Sequence, residues 1–421
     1  MSGSLVGVEL FSPWPESVQK LPHISPSSAS QLVKSNGCKL KPLLSYYANK
    51  PESSIPSSGA SEIGTVIHKL LDYAHKSSNS NVKPTKEEIL AKFDELILQE
   101  EDKIANSKIN RHLSPLKGMK DFSKKKYKTC RKAIEIIESD KFSKNSGGNQ
   151  RVGTRILGSE VRVWDVEKRF EEKQPESGTY SVKGSIDYVH KLDYNSVEII
   201  DYKTGNMIDE YDNIKSEYKV QIQLYATLLK LTAKHSGWGE LEIKQGRLEN
   251  PLNEESHEIK LDTKVNQKLL NDVRDIHNEI NRLVSETSTL AELAKSLISP
   301  SIENCQFCEF SPGCVGYHEK LAKWMCIDQP EVTDVIGIVV EDSTRMQPNS
   351  EFFQLRIRDK NEEIWLIDNI HSGRYPKVAE VKTGTKVAIF RGKTKEIELN
   401  EIKYRFQANK RSHAFFIASD N

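Results

Sequence analysis

The spacing of apolar residues changes along the chain, from a helical period in the first part to a strand-like period further on. Apolar side chains recur every three to four residues in four stretches, which is typical of helices with one buried face. The second stretch also begins with Pro84 and Thr85, which are common at helix starts. The pattern predicts helices over 64–74, 83–104, 218–235 and 261–284.

A two-residue alternation rich in Val, Ile and Tyr predicts strands in the middle of the chain, over 156–168, 180–192 and 196–205. Five further short strands are predicted near the end, over 332–342, 351–359, 362–369, 385–392 and 412–418. Mixed helices and strands indicate an α/β fold. The run of short strands at the end predicts a small all-β, OB-like barrel.

These patterns divide the chain into three parts. Residues 1–60 show little periodicity and end in a stretch rich in Ser and Pro, so we expect an N-terminal segment there. Residues 61–328 form the main α/β domain, with a helical insertion at about 85–142. Residues 329–421 form the barrel.

Composition excludes several classes of protein. The 421 residues include 61 Lys and Arg and 60 Asp and Glu, so the net charge of +1 excludes a globally basic nucleic-acid coat. With 37% hydrophobic residues and no apolar run near the ~18 residues of a membrane span, we expect a soluble protein that does not contact membranes. The N-terminus lacks a secretory pattern, and six scattered cysteines do not suggest a disulfide framework. We therefore expect a cytoplasmic protein.

Positive charge is nevertheless concentrated in one segment. Between Lys103 and Lys132 there are 11 Lys and Arg residues and one acidic residue, Asp121. Such a run is commonly the solvated face of a helix. Because the whole chain is nearly neutral, a strip that contacts phosphates is the other interpretation.

The most informative charged residues lie on two neighbouring predicted strands. Asp187 is on the first strand, and Asp201 and Lys203 share one face of the second because side chains alternate. If the numbers of paired residues add to an even total, all three side chains share a face. Two carboxylates can hold Mg²⁺ or Mn²⁺, and a lysine can stabilise a developing oxyanion. The simpler interpretation is a solvated surface hairpin.

Four short motifs occur in a fixed order around these residues. They are G-x-x-x-H at 64–68, G-x-x-D at 184–187, D-Y-K-x-G at 201–205 and Q-x-x-x-Y at 221–225. Over about residues 25–320 the chain resembles the PD-(D/E)xK nucleases, and among them the RecB-type branch that includes the CRISPR-adaptation exonucleases. The resemblance implies a restriction-endonuclease-like core with helical additions.

The resemblance also implies roles for individual residues. Asp187 and Asp201 would be metal ligands and Lys203 the catalytic lysine, while His68 would add a neutral imidazole ligand, which suits Mn²⁺ alongside Mg²⁺. We expect this site to be solvated. Replacing Asp187 or Lys203 by Ala should then abolish cleavage and leave the protein folded.

Two other positions belong to the same resemblance. Gln221 and Tyr225 are four residues apart and share one helix face, which in the family borders the site and positions the lysine or the nucleic acid. The alternative is ordinary helix surface with one half-buried tyrosine. Glu160 is a possible additional carboxylate, for which we expect a structural use.

The cysteines form a second candidate site. Cys305, Cys308 and Cys314 are spaced C-x2-C-x5-C, and three thiolates on one loop need a fourth ligand to complete a zinc site or a [4Fe–4S] cluster. RecB-type nucleases with an iron staple join this group to one upstream cysteine. The resemblance therefore implies a [4Fe–4S] cluster with Cys38 as fourth ligand, with zinc as the alternative metal and Cys326 as the alternative ligand.

A ligand pair of Cys38 and Cys305 would tie together positions that are 267 residues apart. Closing so long a loop gives a large entropic stabilisation, so we expect Cys305→Ala to destabilise the whole domain. Cys130 is expected to be a small buried or surface residue.

The C-terminal part interleaves aromatic and cationic residues, which suits stacking on single-stranded nucleic acid. The alternative is that the aromatics form the core of the barrel. The aromatics are Phe352, Phe353, Trp365, Tyr375 and Phe390, and the cations are Arg356, Arg358, Arg374, Lys377 and Arg391.

Taken together, the residues and the resemblance predict a metal-dependent DNA nuclease, acting as an exonuclease on single-stranded DNA in repair, recombination or defence. The alternative is a DNA-binding or scaffold subunit of a helicase–nuclease or antiviral defence complex, with little activity alone. A helicase or another repair or defence subunit is the expected protein partner.

Overall fold

The computed structural model describes most of the chain. It covers residues 19–33, 37–47, 57–139, 158–164, 181–192, 196–236, 240–305, 308–311, 314, 316–317 and 333–417, except 79, 81, 108–109, 111–112, 288–289, 360 and 410–411. Among the helices in these ranges, none combines the length and the apolar character needed to cross a membrane.

A five-stranded mixed sheet forms the centre of the first part, in the strand order β1-β2-β3-β4-β5. Its strands are β1 (Gly158–Trp164), β2 (Lys183–Lys191), β3 (Ser196–Tyr202), β4 (Glu242–Asn250) and β5 (Glu255–Ile259). Strands β3 and β4 are parallel and the other neighbours antiparallel. Every residue of the central strand β3 is buried, because helices cover both faces of the sheet.

The register of β2 against β3 decides which side chains share a face. Tyr188 lies opposite Ile200 and Val189 opposite Ile199, so the paired numbers add to an even total. This is the register that places Asp187 on the same side as Asp201 and Lys203. The ladder ends at Tyr188 and Ile200, and Asp187 lies just beyond that last pair.

One face of the sheet is covered by helices from both ends of the first part. They are α1 (Pro26–Leu32), α2 (Leu40–Tyr47), α6 (Ser216–His235), α7 (Thr263–Glu286), α8 (Leu290–Leu297) and the short α9 (Ile302–Cys305). Ile199 of β3 and Leu228 of α6 belong to the core on this side. Helix α6 connects the parallel strands β3 and β4 and lies very close to the sheet, since a Cβ on Gly246 would stand 2.1 Å from Ile222 Cγ2.

The opposite face carries the three helices α3 (Gly59–Ser78), α4 (Lys86–Asn106) and α5 (Phe122–Ser139). Helix α4 begins as the sequence predicts, because Thr85 and Glu88 form a reciprocal capping box. Ile200 and Tyr202 of β3 point into this second core, together with Val66 and Phe93.

The described N-terminal residues are integrated into the same core. Ile24 forms a bridge with Val182 next to β2, and Leu21 and Leu40 are buried. Leu21 also contacts α7, since its N–H donates to Asn281 Oδ1 and its carbonyl accepts from His277 Nε2. Residues more than 250 positions apart therefore meet at this point.

The last part is a six-stranded sheet in the order β10-β8-β7-β6-β9-β11. Its strands are β6 (Thr333–Arg345), β7 (Phe352–Arg358), β8 (Ile364–His371), β9 (Lys386–Leu399), β10 (Ile402–Gln407) and β11 (His413–Ile417). Because β10 also pairs with β9, the pairings form a closed circuit of five strands. The sequence pattern did not predict β4, β5 or β10.

Three of the five aromatic residues named above for this part are buried in its core, as the alternative interpretation of the sequence predicts. Phe353, Trp365 and Phe390 are buried, which removes them from a stacking surface. Tyr375 packs partly buried against the same core, and Phe352 is 42% exposed. Phe352 is therefore accessible for stacking on a base, whereas the three buried rings are not.

Candidate active site

Asp187 lies at the fork where strands β2 and β3 separate. Its Oδ2 accepts a hydrogen bond of 2.8 Å from the N–H of Tyr202. This bond extends the β2–β3 hydrogen-bond ladder, with a side-chain carboxylate in place of a backbone carbonyl. Lys203, one residue further on, donates its N–H to the Glu249 carbonyl of β4. The end of β3 is therefore held from both sides, and this fixes the direction of its side chains.

Asp201 and Lys203 form a buried ion pair. Lys203 Nζ lies 2.6 Å from Asp201 Oδ2, and the two side chains are 18% and 3% exposed respectively. Oδ2 is buried, and the Lys203 ammonium group is the charged partner that lies against it. Burial raises the pKa of Asp201 to about 6, aided by the negative charge of Asp187 and opposed by Lys203. The expectation of a solvated site is wrong for this pair, because α6 covers the strand end.

The pKa of Lys203 is raised, although burial by itself would lower it. Burial alone lowers the pKa of a lysine, but the charge and hydrogen bonding of Asp201 outweigh it, and the pKa of Lys203 is raised. The lysine is therefore fully protonated at neutral pH. A lysine in this state carries a fixed positive charge and has no free lone pair with which to accept a proton.

His68 on α3 faces Asp187 across the cleft. Its Nδ1 lies 3.4 Å from Asp187 Oδ2, and both side chains are partly exposed. Burial lowers the pKa of His68, whereas the hydrogen bond and the charge of Asp187 raise it, and the net pKa lies above its usual value. Each carboxylate thus lies beside a different basic side chain, Asp187 beside His68 and Asp201 beside Lys203.

Helix α6 brings three further side chains to the lysine. Gln221 Oε1 accepts from Lys203 Nζ at 3.2 Å, and Gln221 Nε2 donates to the Tyr225 hydroxyl at 3.3 Å. The Tyr218 ring lies 5.0 Å from Lys203 Nζ, within cation–π range. The predicted Q-x-x-x-Y face therefore borders Lys203. Burial raises the pKa of Tyr225 far above its usual range, so this hydroxyl stays protonated.

Two motif glycines allow close approaches that no side chain permits. A Cβ on Gly184 would lie 2.6 Å from Pro26 Cδ and 3.3 Å from Tyr225 Cε1. A Cβ on Gly64 would lie 3.0 Å from Thr204 Oγ1. The glycines let α1 and α6 approach β2, and α3 approach the end of β3. By contrast, nothing lies within 4 Å of a Cβ on Gly205.

A cleft of about 480 Å³ opens over these residues. It lies between α3 and the ends of β2 and β3, and hydroxyl, imidazole, ammonium and carboxylate groups all contribute to its wall. The lining residues are Ser61, Gly64, Thr65, His68, Lys69, Asp72, Asp187, Tyr202 and Thr204.

The arrangement of the described side chains bears on metal binding. As they are placed in these ranges, no three His, Cys, Asp or Glu residues converge closely enough to form a metal-binding group. The donor chemistry nevertheless fits a divalent cation at Asp187 and Asp201, because hard carboxylate oxygens on one side of the strand ends are the ligands that Mg²⁺ and Mn²⁺ prefer. The predicted metal ligands therefore stay a prediction.

The four cysteines of the predicted second site are partly buried free thiols, and two of them, Cys38 and Cys308, pack against the same core. As these described residues are placed, they do not converge into a metal-binding group. Burial raises the pKa of Cys305 to about 12, with smaller effects of Cys308, Cys314 and Cys38. Burial also raises the pKa values of Cys308 and Cys314, and the charge of Cys38 contributes less to both shifts. Cys326 lies outside the described residues. Cys130 is buried among α3–α5, as expected.

The basic segment is largely engaged in ion pairs. Lys126 pairs with Asp94, Arg131 with Glu254 and Lys132 with Glu249, which favours a paired helix surface over a free phosphate strip. Two further residues of the segment, Lys103 and Lys128, also have acidic partners. The side chain of Glu160 lies outside the described residues.

Sequence reasoning missed several residues around the site. Tyr218 precedes Gln221 by one helical turn, and this spacing is the signal that could have found it. His75 is buried, its Nε2 lies 2.9 Å from the Tyr202 hydroxyl, and its ring stacks on Tyr188 at 3.5 Å. Burial lowers the pKa of His75 to about 3. No local pattern marks this histidine, because its partners are on distant strands.

Comparison with known proteins yields one family match. A family model described as the PD-(D/E)XK nuclease superfamily matches residues 26–315. Among solved structures, the crystal structure of SSO0001 is 16% identical, covers 60% of this chain and 98% of that protein, and gives a TM-score of 0.23. No curated protein matches the chain.

Proposed function

The chain belongs to the PD-(D/E)XK nuclease superfamily, and from this membership and the site geometry we propose that it cleaves DNA by metal-dependent hydrolysis of phosphodiester bonds. One observation carries the proposal. The buried Asp201–Lys203 pair lies at the end of a central strand, with Asp187 and His68 beside it at an open cleft. A merely structural ion pair would not need a neighbouring carboxylate, imidazole and cleft.

Asp187 and Asp201 would hold a Mg²⁺ or Mn²⁺ ion, with His68 as a third ligand through its neutral imidazole. When bound, such an ion polarises the phosphodiester and lowers the pKa of a bound water. The metal matches the donor set, since hard carboxylate oxygens suit both ions and imidazole suits Mn²⁺.

Lys203 would supply positive charge to the oxyanion that develops on the phosphate. Gln221 and Tyr218 hold its ammonium group in place, so this charge is oriented before substrate binds. The Tyr225 hydroxyl in turn accepts a hydrogen bond from Gln221 Nε2 and limits the rotation of this amide. The role of these α6 residues is positioning.

We further propose single-stranded DNA as the substrate and exonucleolytic cleavage, in repair, recombination or defence. The support is the resemblance to RecB-type nucleases in four ordered motifs. The wall of the cleft also offers Ser61 and Thr65, whose hydroxyl groups can contact phosphate oxygens, while Lys69 in the same wall pairs with Glu100.

At the second site we propose a [4Fe–4S] cluster held by Cys38, Cys305, Cys308 and Cys314, with zinc as the alternative. The support is the C-x2-C-x5-C spacing, together with the packing of Cys38 and Cys308 against the same core. The cluster would tie the N-terminal helices to the end of the nuclease domain. It would be structural, since it lies apart from the cleft residues.

For the C-terminal part we propose an OB-like barrel. Five strands pair in a closed circuit, and a short 3₁₀ helix (Pro376–Glu380) separates β8 from β9. An OB-fold is a five-stranded, partly open barrel that binds oligonucleotides. This supports a role in holding the DNA strand.

The test is cleavage of end-labelled single-stranded DNA by full-length protein with Mn²⁺ or Mg²⁺. We expect cleavage by the wild-type protein and none by Asp201→Asn, with Asp275→Asn, an exposed carboxylate on α7, as the matched control. DNA binding without cleavage in the wild type would overturn the proposal. It would indicate a DNA-binding subunit that serves a helicase or another partner.

A further inference from the structure

Arg391 of β9 connects the C-terminal strands to the cysteine loop. Its Nη2 donates to the carbonyl of Cys308 at 2.9 Å and to that of Cys305 at 3.3 Å. The residue is 6% exposed and adopts φ 66°, a left-handed conformation that is uncommon for a long side chain. A buried arginine in a left-handed conformation, which does not line the cleft, needs a physical explanation.

The backbone of Arg391 is fixed on both sides. Its N–H donates to Asp334 Oδ1 at 2.8 Å, and its carbonyl accepts from Asn409 Nδ2 and Ser412 Oγ. The other oxygen of Asp334 accepts from the Tyr317 hydroxyl, which follows the cysteine loop in sequence. The two oxygens of the Asp334 carboxylate thus accept from the Arg391 N–H and the Tyr317 hydroxyl, and not from the Arg391 guanidinium.

An apolar contact lies beside these polar ones. Phe390 and Ala388 of β9 are buried, and Tyr317 packs against them. The cysteine loop and β9 therefore share one continuous interface, in which Arg391 is the charged member.

The charge of Arg391 has no acidic partner within the residues that the structure describes. Its Nε is buried and makes no hydrogen bond there. An isolated buried charge is strongly destabilising unless an opposite charge lies nearby. Backbone carbonyls and neutral thiols supply dipoles only. Four cysteine thiolates around Zn²⁺ carry a net negative charge, and a thiolate-ligated iron–sulfur cluster is likewise anionic.

We propose that Arg391 is the counter-ion of an anionic metal–thiolate centre at the cysteine loop, and that it couples occupancy of this centre to docking of the C-terminal strands. The inference depends on the proposed cysteine site, and it holds for iron–sulfur or zinc. Arg391 is a positioning residue, which holds the loop through Cys305 and Cys308. Metal bound at the centre stabilises the interface between the cysteine loop and β9. When the metal is lost, the Arg391 guanidinium stays buried without an opposite charge.

The first experiment measures metal release from full-length protein purified without oxygen. Iron, sulfide and zinc are quantified, and loss of metal to a chelator is followed over time. We expect Arg391→Met to release its metal at least tenfold faster than wild type, and Arg391→Lys, which keeps the charge, to lie closer to wild type. Arg356→Met is the matched control, because Arg356 pairs with Glu341 on the exposed surface of β7.

The second experiment needs no variant. Hydrogen exchange of residues 386–392 is compared between loaded and chelator-stripped wild-type protein, and we expect faster exchange after stripping. Unchanged exchange, or wild-type metal release by Arg391→Met, would overturn the role of Arg391. Wild-type protein that contains neither iron nor zinc would overturn the cysteine site itself. The cleavage assay of Asp201→Asn tests the nuclease proposal independently of both results.

Discussion

Lys203 Nζ lies 2.6 Å from Asp201 Oδ2 in a position that is almost closed to water. Each charge of this pair therefore depends on the other, because removing one partner leaves the second buried and uncompensated. The pair is at once the centre of the proposed catalytic site and part of the folded structure.

The first prediction concerns this pair. We expect Lys203→Met to lower the free energy of unfolding by roughly 3 kcal/mol, since Asp201 loses its counter-charge. The double variant Asp201→Asn/Lys203→Met should lose clearly less than the sum of the two single losses. Urea denaturation without divalent cations measures all three. Additive losses would show that the two charges do not depend on each other.

The second prediction concerns the position of the lysine. Gln221→Met removes the acceptor 3.2 Å from Lys203 Nζ, so we expect cleavage to slow about tenfold, which corresponds to one lost hydrogen bond of ~1.4 kcal/mol. KM should change little, because Gln221 holds the lysine and not the DNA. Steady-state kinetics measures both quantities. Gln267→Met on the exposed side of α7 is the control, and an equal loss in both variants would exclude a specific role.

The third prediction concerns the cysteine loop. Cys305→Ala should abolish the bound metal and lower the melting temperature strongly, because the link between distant parts of the chain is lost. Cys130→Ala, in a different core, should cost only about 1 kcal/mol and keep the metal. Metal analysis and thermal unfolding test this. An equal small shift in both variants would speak against a structural metal site.

The fourth prediction concerns pH. The pKa of His75 is about 3 in the folded protein and 6.5 in an exposed histidine, so between these values the unfolded chain binds a proton that the folded protein does not. This contribution to stability is complete above about pH 6.5 and is lost as the pH falls. We expect a loss of about 2 kcal/mol between pH 7.5 and pH 5. Urea denaturation of His75→Gln should show a shallower pH dependence, and parallel curves would contradict the assignment.

The fifth prediction compares two motif glycines. Gly184→Ala should destabilise the protein by about 1–3 kcal/mol, because its Cβ meets the Pro26 ring at 2.6 Å. Gly205→Ala should be nearly neutral in stability, since nothing lies within 4 Å of its Cβ. Thermal unfolding decides between them. Similar values for the two variants would mean that Pro26 can move aside without cost.

Local patterns were sufficient to predict the helices and the strands that carry the site. The helix start at Pro84 and Thr85 depends on neighbouring residues, and the sequence shows it. The sequence left the register of β2 and β3 open, and the structure has the even total. Strand β4 was missed because its sequence, EIKQGRLEN, contains only two large apolar residues, and its burial depends on α6. Strand β10 was missed although IKYRFQ alternates clearly, and it is the strand that closes the circuit.

The burial of the site could not be predicted from the motifs. Asp201 loses water because α6 crosses over the strand end, and this depends on Gly246 and Ile222 fitting together. The contact of Arg391 with Cys305 and Cys308 likewise joins positions more than 80 residues apart. Interactions over such separations leave no periodic trace in the sequence.

The hydrogen bond between the Leu21 N–H and Asn281 Oδ1 has a consequence for folding during translation. During synthesis the N-terminal residues emerge first, and their partners on α7 follow some 260 positions later. Until then Leu21, Ile24 and Leu40 have no completed core to enter, and apolar surface stays exposed. The nuclease domain can therefore close only after translation has passed α7, so a ribosome that stalls earlier leaves an aggregation-prone nascent chain.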